Sequence, residues 1–300
     1  MGQATIDQDS ALHLDPVGRD EYARLWRDRR FDRMECLSAR FNRHTYAPHT
    51  HDTYVIGVIL AGTELFHHRG VEHAARAGSV AVLNPGELHD GRPSEHGYAY
   101  RMFYPSVALL ERELSDALGR PAAAPGFTGT LVEDPELFRA IRDLHLTLED
   151  PQADPLKTET DLMRAFVAVS LRHGEAGGRL RPAGQEPAAV RRAREYLDAH
   201  LDRPVELADL AAAVGLSRFH LLRVFRATVG TTPHGYLTDR RVQQAKELLS
   251  GDLPLAEVAV ACGFCDQAHL NRVFKARVGV APGQYRRGSN PVQDGAPAGH

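Results

Sequence analysis

Cysteine is scarce in this sequence of 300 residues, and long apolar runs are absent. The three thiols, Cys36, Cys262 and Cys265, are too few and too unevenly placed for a disulfide framework. No apolar run approaches the roughly 18 residues that a membrane-spanning helix requires, and the first residues lack the basic start and apolar core of a signal peptide. We therefore expect a cytoplasmic protein with no membrane partner.

Cys262 and Cys265 nevertheless have the spacing of a metal knuckle or a redox pair. A zinc site built on them would need two further cysteine or histidine ligands nearby, and only His269 is available. The motif is therefore a weak indication of metal or thiol chemistry, and we expect neither from it.

Charge is unevenly distributed along the chain, whose overall formal charge is -3. Residues 188–300 carry 15 Lys and Arg against 11 Asp and Glu, a net charge of +4, which leaves -7 for the remainder. A basic C-terminal part is what binding to nucleic acid requires, whereas the acidic part is unsuited to DNA.

The stretch at residues 174–188, rich in Gly and Pro, predicts a linker between domains at residues 20–173 and 189–287. Residues 288–300 and the first fifteen or so residues are expected to be disordered.

The N-terminal domain is predicted to combine β-structure with helices. Residues 34–104 contain four β-rich runs separated by turn signals, a pattern typical of an antiparallel barrel or sandwich. The turn signals are Ala61-Gly62, Arg69-Gly70 and Asn84-Pro85-Gly86. After Pro105 the pattern changes to two or three amphipathic helices.

The C-terminal domain is predicted to be helical throughout, and it contains an internal repeat. HLLRVFRATVGTTPHGY at residues 220–236 matches HLNRVFKARVGVAPGQY at residues 269–285 without a gap, at an offset of 49 residues. Each copy follows a short alanine-rich helix that ends in glycine and a turn of a few residues. This order is typical of the helix-turn-helix motif, in which the second helix enters the major groove of DNA.

The polar face of each second helix is predicted to contact DNA. Arginine can bond guanine through two atoms, glutamine or asparagine can do the same to adenine, and flanking cations hold phosphates. Apolar members of this face could touch thymine methyls or pack on a neighbouring helix, and the two matched histidines could serve the motif internally. The predicted DNA-binding residues are Arg218, Phe219, Leu222, Arg223 and Arg226 in the first copy, and Gln267, Ala268, His269, Asn271, Arg272 and Lys275 in the second.

Residues 189–287 resemble the DNA-binding domain of AraC/XylS-family transcription regulators. The resemblance rests on VAVACGFCDQAHLNRVFKARVGVAPGQYRR, with GF before the second turn, RVFK in the reading helix and a P-x-x-Y-R end. It implies seven helices with two helix-turn-helix motifs, sequence-specific binding to double-stranded DNA, and activation through contact with RNA polymerase.

The N-terminal domain resembles the cupin-type sensor domain of many members of that family, through APHTHDTYVIGVILAG and LNPGELHDG. The resemblance implies a small-molecule effector inside the barrel and a homodimer formed by the helices after Pro105. The candidate ligand-binding residues are His49, His51, Tyr54 and His89.

A divalent metal is an alternative occupant, because His49, His51 and His89 follow the order in which metal-binding cupins place their ligands. The glutamate expected about four residues after His51 is missing, and Glu64 lies too far along the sequence to replace it. We therefore expect no cofactor, and the histidines could equally line a pocket for an organic ligand or be plain strand residues.

An enzyme would need a complete metal set or an acid–base pair in the barrel, and the sequence offers an incomplete one. We therefore expect no enzyme. The sequence predicts an α+β multidomain regulator, with a cupin-like β-barrel and dimerisation helices followed by an all-α seven-helix domain. A regulator whose barrel only dimerises, without sensing a ligand, is the alternative.

Overall fold

The computed structural model describes residues 21–175 and 186–289. Two compact units contain them: the first comprises the described residues of Met1–Ala153 and Asp161–Pro182, and the second those of Asp154–Thr160 and Ala183–His300. The expected disorder at the N-terminus, the centre of the predicted linker and nearly all of the predicted tail lie outside the described residues. None of the helices in the described ranges has the length and apolarity that crossing a membrane would require.

The first unit is built on one antiparallel sheet of eight strands, followed by helices. The strands are β1 (Tyr22–Asp28), β2 (Met34–Phe41), β3 (Tyr46–His49), β4 (Val55–His68), β5 (Val71–Arg76), β6 (Val80–Leu83), β7 (His89–Tyr104) and β8 (Leu131–Val132). The helices are α1 (Val107–Leu118), α2 (Pro135–Glu149) and α3 (Pro155–His173), of which the residues up to Thr160 are assigned to the second unit. The strand order is β1-β2-β7-β4-β6-β8, while β3 pairs with β7 and β5 pairs with β4.

Two hydrophobic cores lie on opposite faces of this sheet, because successive side chains of a strand alternate between its faces. The buried residues of one core come from strands β2 to β7, so the sheet curls around it. The other joins the outer face of the sheet to the three helices. On β4, for example, Val55 belongs to the inner core and Ile56 to the outer core.

The predicted turn at Ala61-Gly62 is wrong, since both residues lie within the continuous strand β4. Between Ile59 and Ala61, β4 advances by two residues while its partner β7 advances by one, from Tyr100 to Ala99. This β-bulge adds one unpaired residue and reverses which side chains point inward further along β4. Gly62 adopts a φ of 69°, in the left-handed region that glycine tolerates.

The helices of the first unit follow from capping and from an apolar stripe. Ser106 and Asp134 accept hydrogen bonds from backbone N–H groups of the first turns of α1 and α2. The apolar stripe on α2 recurs every three or four residues, and its members are buried against the sheet, as the sequence pattern predicts. They are Leu137, Ile141, Leu144 and Leu148.

Residues 186–289, the described part of the second unit after the linker, contain seven helices, in agreement with the predicted all-α domain. They are α4 (Pro187–Asp198), α5 (Leu207–Val214), α6 (Arg218–Val229), α7 (Pro233–Leu248), α8 (Leu255–Ala261), α9 (Gln267–Val278) and α10 (Pro282–Ser289). The pairs α5–α6 and α8–α9 are the two predicted helix-turn-helix motifs. Helix α7, which connects them, has 16 residues and a length of about 24 Å.

Gly263 fixes the turn of the second motif. Helix α8 ends at Ala261, Cys262 is its C-cap, and Gly263 follows with a φ of 71°. A Cβ at this position would lie 2.2 Å from the Leu201 carbonyl oxygen, so only glycine allows this close approach.

Replacing Gly62 by alanine is expected to destabilise the first unit strongly. The added Cβ would lie 2.0 Å from the Gly97 carbonyl oxygen on β7, in addition to the strain of a positive φ. We expect a loss of more than about 3 kcal/mol in the free energy of unfolding, measured by urea denaturation.

Gly78→Ala is the matched control, because Gly78 also has a positive φ but a Cβ there meets no atom within 4 Å. It is expected to cost about 1 kcal/mol, the cost of the left-handed conformation alone. Equal losses in the two variants would contradict the role of the close β4–β7 approach.

Candidate functional site

Three imidazoles converge in the pocket enclosed by the curled sheet. His49 ends β3, His51 lies two residues further, and His89 begins β7 directly opposite His49. The ring centroids lie 4.8 Å apart for His49 and His51, 4.5 Å for His49 and His89, and 5.2 Å for His51 and His89. One nitrogen atom from each ring lies within 4.8 Å of the other two. The pairing of β3 with β7 thus brings together three residues that are separated by up to 40 positions in the sequence.

Two of these rings are held in a defined tautomer. His49 Nδ1 lies 2.8 Å from the Ala47 carbonyl oxygen, and His89 Nδ1 lies 3.0 Å from the Glu87 carbonyl oxygen. Because a carbonyl oxygen only accepts, each Nδ1 carries the hydrogen and each Nε2 retains its lone pair. Both lone pairs are therefore available to an acceptor of electrons in the pocket.

Burial keeps the three imidazoles neutral at pH 7. Desolvation lowers the pKa of His49, and it lowers the pKa of His51 to about 3 and that of His89 to about 4. The neighbouring imidazoles lower the pKa values of His51 and His89 further, since a second positive charge nearby would be repelled.

A hydrogen-bonded turn before β7 positions His89. The Glu87 carboxylate accepts from the Asn84 backbone N–H at 2.9 Å and from Arg69 Nε at 2.9 Å, and it lies 2.9 Å from His68 Nε2. His68 Nδ1 in turn lies 2.8 Å from Thr130 Oγ1. These contacts fix the Glu87 carbonyl that orients His89. The sequence motif Asn84-Pro85-Gly86 predicts the turn, but not this network.

Glu64 lines the same pocket as the three histidines, although the sequence interpretation places it too far along the chain. The bulge after Ile59 shifts the inward-facing positions of β4 by one residue, which turns Glu64 and Phe66 toward the interior. Desolvation raises the pKa of the Glu64 carboxyl to about 8. Glu64 is therefore mainly a neutral acid at pH 7, and it can donate a hydrogen bond.

The cavity among these residues has a volume of about 40 Å³. At about 10 to 15 Å³ for each water molecule, it holds roughly three waters. Its walls combine the imidazoles and Glu64 with a second carboxyl group, Asp90, and with aromatic and apolar side chains: Tyr46, Val55, Phe66, Ala81, Leu83, Tyr100, Met102 and Tyr104. A ligand of this size with polar donors fits among these residues.

The predicted ligand-binding role of Tyr54 is corrected by the structure, because its side chain faces away from this pocket. Its neighbour Val55 lines the cavity, and adjacent strand residues point to opposite faces. The Tyr54 hydroxyl donates to the Pro125 carbonyl oxygen at 2.8 Å, and its ring meets Phe127 edge-on at 5.7 Å. Tyr54 thus belongs to the outer core between sheet and helices.

The two reading helices of the second unit start and pack as the sequence predicts. Ser217 caps α6 and Asp266 caps α9, each through a side-chain oxygen that accepts a backbone N–H. The predicted inner face of both helices is fully buried. Its members are Leu221 and Phe225 on α6, and Leu270 and Phe274 on α9.

Most of the predicted DNA-binding residues lie on accessible positions of α6 and α9. The exposed ones are Arg226, Gln267, Ala268, Arg272 and Lys275. The half-buried ones are Arg218, Phe219, Arg223, His269 and Asn271. The Arg223 guanidinium lies over the Phe219 ring at 6.0 Å, which restrains the arginine through a cation–π contact.

The predicted DNA-binding role of Leu222 is corrected by the structure, because its side chain is only 6% exposed and cannot lie on the accessible face of α6. Removing a leucine side chain from water is favourable by roughly 1.5–3 kcal/mol, and α6 packs so as to bury it. The position equivalent to Leu222 in the second repeat is Asn271, which remains half-buried. The two motifs are therefore not equivalent at this position.

His269 has partners within its own turn. Its Nδ1 accepts from the Cys265 backbone N–H at 3.5 Å, and its ring meets Phe264 edge-on at 5.4 Å. The equivalent His220 lies 3.9 Å from the Glu186 carboxylate. These contacts support the internal role of the two histidines, and contact with a base stays a prediction.

The two cysteines of the second motif lie in different environments. Cys262 is completely buried in the core of the second unit, where desolvation raises its thiol pKa to about 11. Cys265 is exposed in the turn after Gly263. A buried, protonated thiol is a poor metal ligand and a poor nucleophile.

Glu64→Gln is expected to flatten the dependence of stability on pH. The folded chain binds the Glu64 proton more tightly than the unfolded chain between pH 4.5 and about 8. This contribution to stability is complete below pH 4.5 and is lost as the pH rises through 8. The free energy of unfolding of the wild type should therefore fall relative to that of the variant, by on the order of 2–4 kcal/mol.

Urea unfolding at pH 5 and at pH 8 measures this difference, and Glu95→Gln, at an exposed carboxyl, is the control that should behave as wild type. If wild type and Glu64→Gln lose the same stability between the two pH values, Glu64 is not a buried neutral acid.

Both units match known domains. Residues 33–166 match the family described as "AraC-like ligand binding domain", and residues 210–288 match "Helix-turn-helix domain". The chain is 29% identical over 227 residues to the uncharacterized HTH-type transcriptional regulator YbfI of Bacillus subtilis, across 74% of this chain and 80% of that protein. It is 29% identical over 241 residues to the arabinose operon regulatory protein of Escherichia coli, across 78% of this chain and 80% of that protein.

A solved structure, the DNA-binding domain of AdpA in complex with a target DNA, is 32% identical to this chain over the aligned residues. The alignment covers 33% of this chain and 91% of the AdpA chain, with a TM-score of 0.32. The ligand-binding and helix-turn-helix domains follow one another over most of the chain, in the order found in AraC-type regulators. This protein therefore belongs to the AraC family of DNA-binding transcription regulators, with a ligand-binding domain in its N-terminal part.

Proposed function

We propose that the protein is a sequence-specific regulator whose binding to double-stranded DNA is controlled by the occupant of the pocket in its first unit. The observation that carries the DNA-binding role is the repeat of a capped helix with an accessible polar face, at a spacing of 49 residues. We further propose that, as a bacterial-type transcription regulator, it binds DNA in the cytoplasm.

The two reading helices are suited to different contacts with DNA. Helix α9 offers two amides and an arginine, Gln267, Asn271 and Arg272, which are the side chains that discriminate bases. Helix α6 offers three arginines and buries Leu222 at the position of Asn271. We infer that α9 supplies more of the base discrimination, while the cations of α6 contribute more of the phosphate binding.

Control by a ligand explains why the first unit keeps a polar cavity. Three neutral imidazoles and a neutral carboxyl group buried within a sheet are costly unless they have partners. A barrel that only dimerises would be more stable with this space filled by apolar side chains. The pocket therefore favours a sensing role over the alternative of a non-sensing dimerisation barrel.

Regulation is also favoured over catalysis. The relatives that match most of the chain carry the names of transcription regulators, and the pocket is fused to a DNA-binding unit. By the resemblance to the family, we further propose a homodimer formed by the helices α1 to α3 and activation through contact with RNA polymerase.

Arg272→Ala is expected to weaken binding to the specific DNA site by about 5- to 150-fold, or about 1–3 kcal/mol, and to relax base preference there. The site is first obtained by selection from random duplexes, and affinities are measured by fluorescence anisotropy. Arg223→Ala is expected to behave in the same direction. Binding of every variant should weaken steeply with salt, because phosphate contacts release counterions.

Arg191→Ala is the control, since Arg191 is exposed on α4, outside both reading helices, and pairs with Glu195 at 3.7 Å. It should bind the selected site as wild type does. Equal losses for Arg272→Ala on the selected site and on random DNA would mean that Arg272 holds a phosphate, and its assignment to base reading would be wrong.

A further inference from the structure

We propose that the hairpin of strands β1 and β2 binds the phosphate backbone of DNA beside the site that the second unit reads. The hairpin comprises residues 22–41, and its tip comprises residues 29–33. This role rests on the proposed function, since it presumes that the second unit holds DNA.

The hairpin is a basic region in an acidic part of the chain. Residues 22–41 contain six arginines and three acidic residues, a net charge of +3, whereas residues 1–187 together carry -7. A cluster of arginines is attracted to phosphates whatever the base sequence. The positive charge that a DNA backbone requires is therefore present on one hairpin, although the unit as a whole is acidic.

Ion pairs within the unit neutralise the acidic residues of the hairpin. The pairs are Arg27–Glu35 at 2.6 Å, Arg30–Asp28 at 2.6 Å and Arg112–Asp32 at 3.1 Å. Arg29 and Arg33 are exposed at the tip, and no ion pair joins either of them to another residue within the described ranges 21–175 and 186–289. Their two guanidinium groups carry the charge that the tip offers to an external anion.

Packing and a tight turn hold the tip in one conformation. Phe31 is only 6% exposed and belongs to the outer core between the sheet and the helices. The Met34 backbone N–H donates to the Phe31 carbonyl oxygen at 2.8 Å, which closes a turn over Asp32 and Arg33. The arginines of the tip therefore project from an ordered backbone, so that binding an anion costs less conformational entropy.

The turn carries a side chain that its backbone disfavours. Asp32 and Arg33 adopt φ values of 53° and 57°, in the left-handed region, where hairpin turns of this kind favour Asn-Gly or Asp-Gly. Glycine would therefore be the more stable residue at position 33. Local strain of this kind is a feature of sites where a side chain has a function, and the guanidinium of Arg33 is the group that glycine would lack.

Charge complementarity favours DNA over a protein as the partner of the tip. The four exposed residues of the tip, Arg29, Arg30, Asp32 and Arg33, are all charged, whereas the centre of a protein–protein interface is depleted of charge. Arginine also bonds phosphate through two nitrogens. Because both units belong to one chain, DNA bound by the second unit is available to the first at a raised effective concentration, and a few phosphate contacts suffice to add affinity.

Two duplexes test this contact with the full chain. Both contain the selected site, and the longer one extends it on each side by random sequence of about 20 base pairs, or about two helical turns. The wild type should bind the longer duplex at least about fivefold more tightly at low salt. The slope of log affinity against log salt concentration should be steeper by about 2 on the longer duplex, because Arg29 and Arg33 neutralise two further phosphates.

The double variant Arg29→Gln/Arg33→Gln is expected to abolish the advantage of the longer duplex and to leave the affinity for the shorter duplex unchanged. Arg43→Gln/Arg76→Gln is the matched control, because it also removes two exposed arginines of the first unit. Arg43 follows β2 at the end of the hairpin away from the tip, and Arg76 lies on β5, which β7 and β4 separate from β2. The control should bind both duplexes as the wild type does.

Arg33→Gly separates binding from folding. Glycine relieves the positive φ, so the melting temperature should rise by roughly 2–4 °C, while the advantage of the longer duplex decreases. If this variant is at least as stable as the wild type and keeps the full advantage, Arg33 does not contact a phosphate.

The wild type distinguishes failure of the hairpin contact from failure of the proposed function. Equal affinities for the two duplexes would overturn the contact and leave DNA binding by the second unit, and the basic tip would then fit an acidic protein. Failure to bind either duplex would overturn the proposed function and the contact together. An advantage of the longer duplex that persists in Arg29→Gln/Arg33→Gln would place the additional contact elsewhere and overturn the role of the hairpin.

Discussion

Strands β4 and β7 hydrogen-bond from Ile56 and Phe103 at one end to His68 and His89 at the other, and this pairing determines where the functional side chains of the first unit lie. Each strand is long enough to have different partners along its length, so the sheet curls and one face encloses a space. The bulge after Ile59 then directs Glu64 into that space, and the pairing of β3 with β7 adds the imidazoles. The two strands approach closely at Gly62, and their register shifts again between Gly62 and Glu64.

The polar groups of the pocket make this part of the first unit less stable than close-packed apolar side chains would. Close-packed apolar side chains fill most of the space within the sheet, yet its centre holds three imidazoles, a carboxyl group and tyrosine hydroxyls. Burial maintains these groups in their neutral forms, so they offer lone pairs and hydrogen-bond donors without the larger cost of a buried charge. Such departures from ideal packing are expected where a protein binds something.

The sequence predicts the second unit better than the first, for physical reasons. A helix-turn-helix motif depends on local signals, such as the caps Ser217 and Asp266 and an apolar stripe, and the repeat provides each signal twice. The burial of Leu222 depends on how the helices pack against one another, and the pattern of apolar residues along one helix does not determine that packing. In the first unit, the order of His49, His51 and His89 along the sequence is enough to propose that they form one group. Whether Tyr54 and Glu64 face the pocket depends instead on which face of the sheet each strand position points to. A one-residue bulge exchanges the two faces further along the strand, and the sequence does not reveal this bulge because Ala61-Gly62 is also typical of a turn.

The β3–β7 pairing directs three imidazoles at one point in the pocket. Histidine ¹⁵N chemical shifts of the full chain, recorded as a function of pH, test this arrangement most directly, because they report the protonation and the tautomer of each ring. Because burial lowers the pKa of His51 to about 3 and that of His89 to about 4, we expect both rings to stay neutral at pH 5, with the hydrogen of His89 on Nδ1. Rings that take up a second proton near a pH of about 6.5, the value of an exposed histidine, would contradict it.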